Sequence, residues 1–182
     1  MKAFPTSIPD VVCLEPTVLH DERGFFLESF NRRTLASLGI DAAFVQENHS
    51  RSARGVLRGL HYQIQHAQGK LVRVLAGEVL DVAVDLRRGS ATFGRHVSLV
   101  LSGENMRMAW IPPGFAHGFL VRSDHADFIY KTTEYYAPEH ERALLWSDPA
   151  LGIDWGIPAG VQPTVSRRDA QAPRLAEAEV YP

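Results

Sequence analysis

Two histidines stand out because of their neighbours. His61 lies in Gly55-Val56-Leu57-Arg58-Gly59-Leu60-His61-Tyr62-Gln63, and His117 lies in Ile111-Pro112-Pro113-Gly114-Phe115-Ala116-His117-Gly118-Phe119. Both stretches place a titratable imidazole in a Gly-rich strand end. An imidazole changes charge near neutrality, so His61 is a natural proton acceptor. The competing reading is a core histidine with its hydrogen bonds satisfied, and for His117 a structural role competes with lining a pocket.

These two segments must be held by strands. From Lys70 to Leu86, two Val- and Leu-rich runs flank Gly77-Glu78, which predicts a β-hairpin. Further short β-like runs cover His96 to Leu101, Met106 to Ile111, Gly118 to Val121 and Ala126 to Tyr135, separated by Gly, Pro, Ser and Asn. Many short strands joined by tight turns imply an all-β sandwich or barrel. One short helix is expected at Arg32 to Leu38, with Asn31 as its N-cap and Gly39 where a left-handed residue would end it. Asp148 to Pro163 reads as a surface excursion, and the tail after Pro173 carries weak structural signals.

The two histidine segments resemble the paired motifs of cupin barrels: a glycine six residues before His61, and Pro-x-Gly-x-x-His at Pro112, Gly114 and His117. Metal-binding cupins place a second histidine two residues after the first and an acid downstream. Here that position is Gln63, and no Asp or Glu occurs between His61 and Gly77. A mononuclear site needs three or four ligands. The expectation is a barrel that has lost its metal and works without a cofactor.

A closer resemblance runs through Asp21-Glu22-Arg23-Gly24-Phe25-Phe26, Gln46-Glu47-Asn48-His49-Ser50, Leu57 to Gln63, Gln68-Gly69-Lys70-Leu71-Val72-Arg73, Asp81 to Arg87 and Tyr130 to Pro138. In this order the blocks are similar to those of dTDP-4-dehydrorhamnose 3,5-epimerases, from about residue 20 to Ala172. The resemblance implies one cupin-type double-stranded β-helix over residues 1–182, a jelly roll with N-terminal strands and a few short peripheral helices. It also implies a reaction on a dTDP-4-keto-6-deoxyhexose. A ketone at carbon 4 makes the hydrogens on carbons 3 and 5 acidic, and inversion removes a proton on one face and returns one on the other.

Carried over residue by residue, the resemblance makes His61 the base and Asp169 the carboxylate that orients it. Tyr130 becomes the acid on the opposite face, and Lys70 the cation that stabilises the enolate oxygen. Taken alone, these last three would be a helix cap, a packing tyrosine and a turn lysine. Arg23, Gln46, Asn48 and Arg58 match contacts to substrate and diphosphate, with Glu47 in the same block. Tyr136 matches a tyrosine that stacks on thymine, Glu28 and Glu141 match further binding positions, and His117 lines the pocket. Arg168 stands before Asp169 where many members have lysine. Arg23, Phe26 and Glu28 would come from a second subunit through exchanged N-terminal strands, which implies a homodimer.

Bulk properties argue against a polyanion binder, and any anionic ligand must be met by a few placed cations. Nineteen Lys and Arg against 21 Asp and Glu give a formal charge of -2 over 182 residues, so no broad positive field serves nucleic acid or an anionic membrane. Cys13 is the sole cysteine, which excludes an intrachain disulfide. No signal-peptide stretch and no run approaching about 18 apolar residues is present, so a cytoplasmic location is expected. Three other readings compete: a mono-epimerase on a related dTDP-4-keto sugar, a metal-dependent cupin oxygenase, and a binding module without catalysis.

Overall fold

The computed structural model describes residues 1–182. The chain opens with β1 (Lys2–Pro5) and β2 (Val12–Glu15), then a small hairpin of β3 (Val18–Asp21) and β4 (Gly24–Leu27), and the helix α1 (Arg32–Ser37). Eight strands follow: β5 (Gln46–Ala53), β6 (Leu57–Gln63), β7 (Lys70–Ala76), β8 (Glu78–Asp85), β9 (His96–Ser102), β10 (Met108–Ile111), β11 (Phe115–Val121) and β12 (His125–Thr132). A 3-10 turn at Pro138–His140 leads into β13 (Glu141–Ala143), and a second helix, α2, spans Arg167–Ala170. No helix is long and apolar enough to cross a membrane.

Within the run of eight strands, β5 pairs with β12, β6 with β11, β7 with β10 and β8 with β9, all antiparallel. This is one long antiparallel ribbon with its tip at β8 and β9, rolled so that the strands fall into two facing sheets. That is the expected jelly roll. The sheets have the orders β1-β2-β10-β7-β12-β5 and β13-β6-β11-β8-β9.

The strand period of two decides what enters the barrel. On β7, Val72 and Val74 point inward, as does Lys70, while Leu71 packs beneath α1 with Leu14, Leu35, Ile40 and Met108. On β8, Val79 and Ala83 face the interior with Asp81 between them, whereas Leu80, Val82 and Val84 face an outer layer. Phe119 and Phe128 stack at 4.2 Å between the sheets, a geometry that adds about 0.5–1.5 kcal/mol to their area burial. Apolar side chains thus fill one part of the barrel and leave polar ones to line the remainder.

The predicted helix forms nearly as expected. Asn31 Oδ1 accepts from the backbone N–H groups of Arg33 and Thr34, and Gly39 takes φ +87°. Met106 has φ +53°, which breaks the extended backbone and delays β10 to Met108.

One expectation is corrected. β7 and β8 do not form a hairpin: Gly77 is the corner at which the chain leaves one sheet for the other. Gly77 has φ +78°, and a Cβ there would lie 2.0 Å from the carbonyl oxygen of His125. We expect Gly77→Ala to lower stability by about 1–3 kcal/mol in a thermal or urea melt, through a strained φ and a clash with backbone.

The stretch from Asp148 to Pro163 is irregular and mostly exposed, as expected, but it is anchored to the core by a few side chains. Leu151 and Trp155 are buried with Leu144 over the outer face of β6, β8 and β11, and Trp155 Nε1 donates to the carbonyl of Trp146. The tail completes this layer. Leu175 and Val180 pack on it, and Tyr181 bridges to Arg87.

Candidate active site

The strand that carries His61 is irregular in a way that aims the side chain. His117 pairs with His61, but Phe119 pairs with Arg58, so β6 holds one residue more than β11 over the same stretch. This bulge falls at Gly59, with φ +126°. It puts Arg58 and His61 on the inner face while Leu57 and Leu60 both face the outer core. A Cβ on Gly59 would meet Gly118 Cα at 2.6 Å. The two glycines therefore let the strands approach closely beside the histidines.

His61 is fixed from behind. Its Nε2 lies 2.7 Å from Asp169 Oδ1, and Asp169 Oδ2 accepts from the Gly59 N–H at 3.3 Å. Asp169 is buried on α2, where Ser166 Oγ accepts from its N–H as the helix cap. Burial pushes this carboxyl upward, but the hydrogen bond and charge of His61, with the Gly59 and Ser166 contacts, outweigh it and hold the carboxyl below its ordinary range. An ionised Asp169 can only accept, so Nε2 carries a proton, and in the neutral imidazole the lone pair is then on Nδ1.

Lys70 enters from the opposite sheet. It is 8% exposed, and its Nζ donates to the His61 carbonyl at 3.2 Å. Burial pushes the ammonium down to about 8, against the upward pull of Asp81 and Glu141. Tyr130, on β12 of the same sheet as Lys70, also lines the cavity. Burial and the charge of Glu141 push its phenol up, with Arg58 and Asn48 pulling the other way.

These groups line a cavity of about 640 Å³ together with Asn48, Arg58, Gln63, His117, Tyr136, Glu141 and Arg168. At the mouth, Glu141 accepts from Tyr136 Oη at 2.8 Å and from Arg168. Burial raises the Glu141 carboxyl, but these partners win and hold it low. Gln46 stands just behind, with Nε2 donating to Asn48 Oδ1 at 3.0 Å and Oε1 accepting from the Tyr136 N–H. Arg58 Nε donates to Ser52 Oγ at 2.9 Å, which directs the fork of the guanidinium.

Four of the expected residues lie elsewhere. Glu47 alternates to the outer face of β5 and pairs with Lys131. Arg23 pairs with Asp21 in the β3–β4 hairpin, and Phe26 on the same hairpin is 71% exposed. Glu28 accepts from Asn31 and Thr34 at the start of α1. Within one chain, none of these four lines the cavity.

Asp81 opens one of the family-like blocks but is not among the residues that the sequence marks for the site. Its Oδ2 lies 2.7 Å from His117 Nε2, and both side chains are buried. The motifs suggested no carboxylate for this histidine, whereas the fold supplies one from β8. Its signal was a lone charge in Val79-Leu80-Asp81-Val82-Ala83-Val84. Gln63 was seen only as a missing histidine. It is buried, donates to the carbonyls of His66 and Tyr135, and accepts from Ala137 N, so it ties together the loops at the mouth. No group of three or more His, Cys, Asp or Glu side chains is arranged to hold a metal ion.

The sequence model of the dTDP-4-dehydrorhamnose 3,5-epimerases matches residues 5–177. The chain belongs to this family. It is 58% identical to the dTDP-4-dehydrorhamnose 3,5-epimerase of Pseudomonas aeruginosa, over 100% of both chains. Among solved structures it is similar to the dTDP-6-deoxy-D-glucose-3,5-epimerase of Legionella pneumophila in complex with dTDP-4-keto-L-rhamnose. That likeness has a TM-score of 0.94 and 55% identity, and covers 98% of this chain and 94% of that one. A family relation also reaches a 3'-monoepimerase of Streptomyces bikiniensis in complex with dTDP-quinovose, with TM-score 0.86, 36% identity, and coverage of 94% and 87%.

Proposed function

We propose that this protein inverts carbons 3 and 5 of dTDP-4-dehydro-6-deoxy-D-glucose, giving dTDP-4-dehydro-L-rhamnose, as a step of dTDP-L-rhamnose biosynthesis. One observation carries the chemistry. His61, on one sheet and paired with Asp169 of α2, faces a cavity that also receives a buried ammonium, Lys70, and a phenol, Tyr130, from the other sheet.

In this reading His61 Nδ1 takes the proton from the carbon next to the ketone, and the pair with Asp169 stabilises the imidazolium that results. Electron density moves from the broken C–H bond to the carbonyl oxygen, where the Lys70 ammonium offsets it. A fixed cation in a water-poor cavity acts there without reorganisation. The enolate carbon then takes a proton from Tyr130 on the other face. Burial and Glu141 push the Tyr130 phenol up, so it is protonated when needed. Exchange with solvent reprotonates the phenol and deprotonates His61, and the second carbon follows by the same steps.

Arg58 and Arg168 offer guanidinium groups for the diphosphate, and Tyr136 at the rim offers a face for the base. The exposed Leu19, Phe25 and Phe26 on the β3–β4 hairpin support a homodimer in which this hairpin crosses to the partner and carries Arg23, Phe26 and Glu28 to its cavity. A cytoplasmic enzyme of one domain fits this role.

The test is incubation of chelator-treated protein with the substrate in deuterated water, followed by NMR of carbons 3 and 5. Deuterium with inversion at both carbons is expected. Inversion at one carbon would make it a mono-epimerase, exchange that requires added metal would return the oxygenase-like cupin reading, and binding without exchange would overturn the catalytic assignment.

A further inference from the structure

Asp81 has no part in the proton transfers just described and does not line the cavity, yet it is a carboxylate 2% exposed in the middle of the barrel. A buried charge of this kind needs a counterpart. Its only hydrogen-bond partner is His117 Nε2 at 2.7 Å. His117 fixes the carboxylate through this contact, and no Lys or Arg lies within ion-pair distance of Asp81.

The missing cation is one step away. His117 stands directly across the ladder from His61, and the His61 carbonyl is the acceptor of Lys70 Nζ at 3.2 Å. The chain of contacts Asp81, His117, His61, Lys70 thus spans the two sheets. Lys70 donates to a neutral carbonyl and forms no ion pair within 4 Å, so a charge farther off must offset it.

We propose that Asp81, held in place by His117, is the counter-charge that keeps the buried Lys70 ammonium charged, and so is a positioning residue for the stabilisation of the enolate. The consequence for catalysis rests on the function proposed above; the electrostatic claim does not. The titratable and charged groups that share the cavity with Lys70 are His49 on β5, Arg58, His61 and Tyr62 on β6, His117 on β11, Tyr130 on β12, Tyr136 after it, Glu141 on β13, and Arg168 and Asp169 on α2, with Asp81 on β8 behind His117. Among these the pull of Asp81 on Lys70 is the largest, ahead of Glu141, and it opposes the burial that drives the ammonium down. Glu141 is already committed to Arg168 and Tyr136, whereas Asp81 has no Lys or Arg partner.

The chain has three lysines, Lys2, Lys70 and Lys131, so the Cε signals of protein labelled with 13C-lysine can be read singly, with Lys70→Met identifying the one of interest. In the unaltered protein the Lys70 signal is expected to titrate near pH 8. In Asp81→Asn it should move down by about one pH unit or more, and Asp81→Glu should return most of that shift. The alkaline limb of kcat should move with it while KM stays near its starting value.

A folded Asp81→Asn whose Lys70 titrates as in the unaltered protein overturns the proposal. If asparagine prevents folding, Asp81→Ser serves the same comparison. A Lys70 already neutral at pH 7 in the unaltered protein overturns it without any variant. None of these readings needs turnover, so a failure of the proposed reaction would be seen separately.

Discussion

Replacing His61 by asparagine should cut hydrogen exchange at carbons 3 and 5 by about 10³-fold, in the middle of the usual range for losing a general base. Asparagine is the informative choice. Alanine would leave Asp169, a buried carboxylate held below its ordinary range, without its main partner, and a loss of activity could then reflect a loosened α2. An asparagine amide can still donate to Asp169 but cannot accept a proton from carbon. The folded variant should keep its affinity for dTDP and its circular dichroism while single-turnover NMR shows the loss. Exchange within tenfold of the unaltered protein would remove His61 as the base. The pair also makes a stability prediction with a definite sign. Because Asp169 is depressed, its contribution is present above the ordinary carboxylate range and is lost as pH falls through the lowered value.

Lys70→Met should separate stability from activity. The ammonium is buried and pushed down to about 8, so keeping it charged costs folding free energy. Methionine has a similar length and no charge, so the variant should melt no lower than the unaltered protein. Its kcat should nevertheless fall by about 10²–10³, the usual effect of removing one stabiliser of a developing oxyanion. The pH dependence follows from the same group. The charged form is the active one, and a lowered pKa means that it disappears as pH rises through about 8. Activity of the unaltered protein should decline across that pH, and the decline should be absent from the residual activity of Lys70→Met. A variant that keeps kcat and loses only affinity would make Lys70 a binding residue.

Much of the framework was legible because it rests on local rules. The helix at residues 32–37 was announced by Asn31 and Gly39, both of which do what their chemistry suits them for. The strands were visible as Val-rich runs, but their partners were not. A hairpin and a corner between sheets both read as two apolar runs around a glycine, and only the rolled ribbon shows that Gly77 is the second kind. The cover from Leu144 to Tyr181 was hidden for a different reason. It buries single residues such as Leu151 and Trp155 from an irregular chain, so no period of two or 3.6 marks it.

The site divides along similar lines. His61 and His117 drew attention through their own segments, while the bond between His61 and Asp169 joins residues 108 positions apart, which no spacing rule reaches; the family resemblance was what suggested it. Asp81 was readable as an oddity, a charge in an apolar strand, but the sequence does not say that His117 waits across the next strand. Arg23, Phe26 and Glu28 are the reverse case. The resemblance assigns them to a binding site, and the single chain leaves them outside its own cavity.

The hydrogen bond from Lys70 to the carbonyl of His61 has a consequence for how such a site can change over time. The ammonium is moored to the main chain of the same residue whose ring receives the proton, so the spacing between base and cation is inherited from a single peptide unit. Substitutions that nudge β6 move the acceptor of the ammonium together with the base, and the long side chain of Lys70, rooted on β7, can follow a small drift. The same mooring forbids independent adjustment. A lineage in search of a new substrate can remodel the mouth or the rim freely, but it cannot retune the base without also moving the charge that it works with.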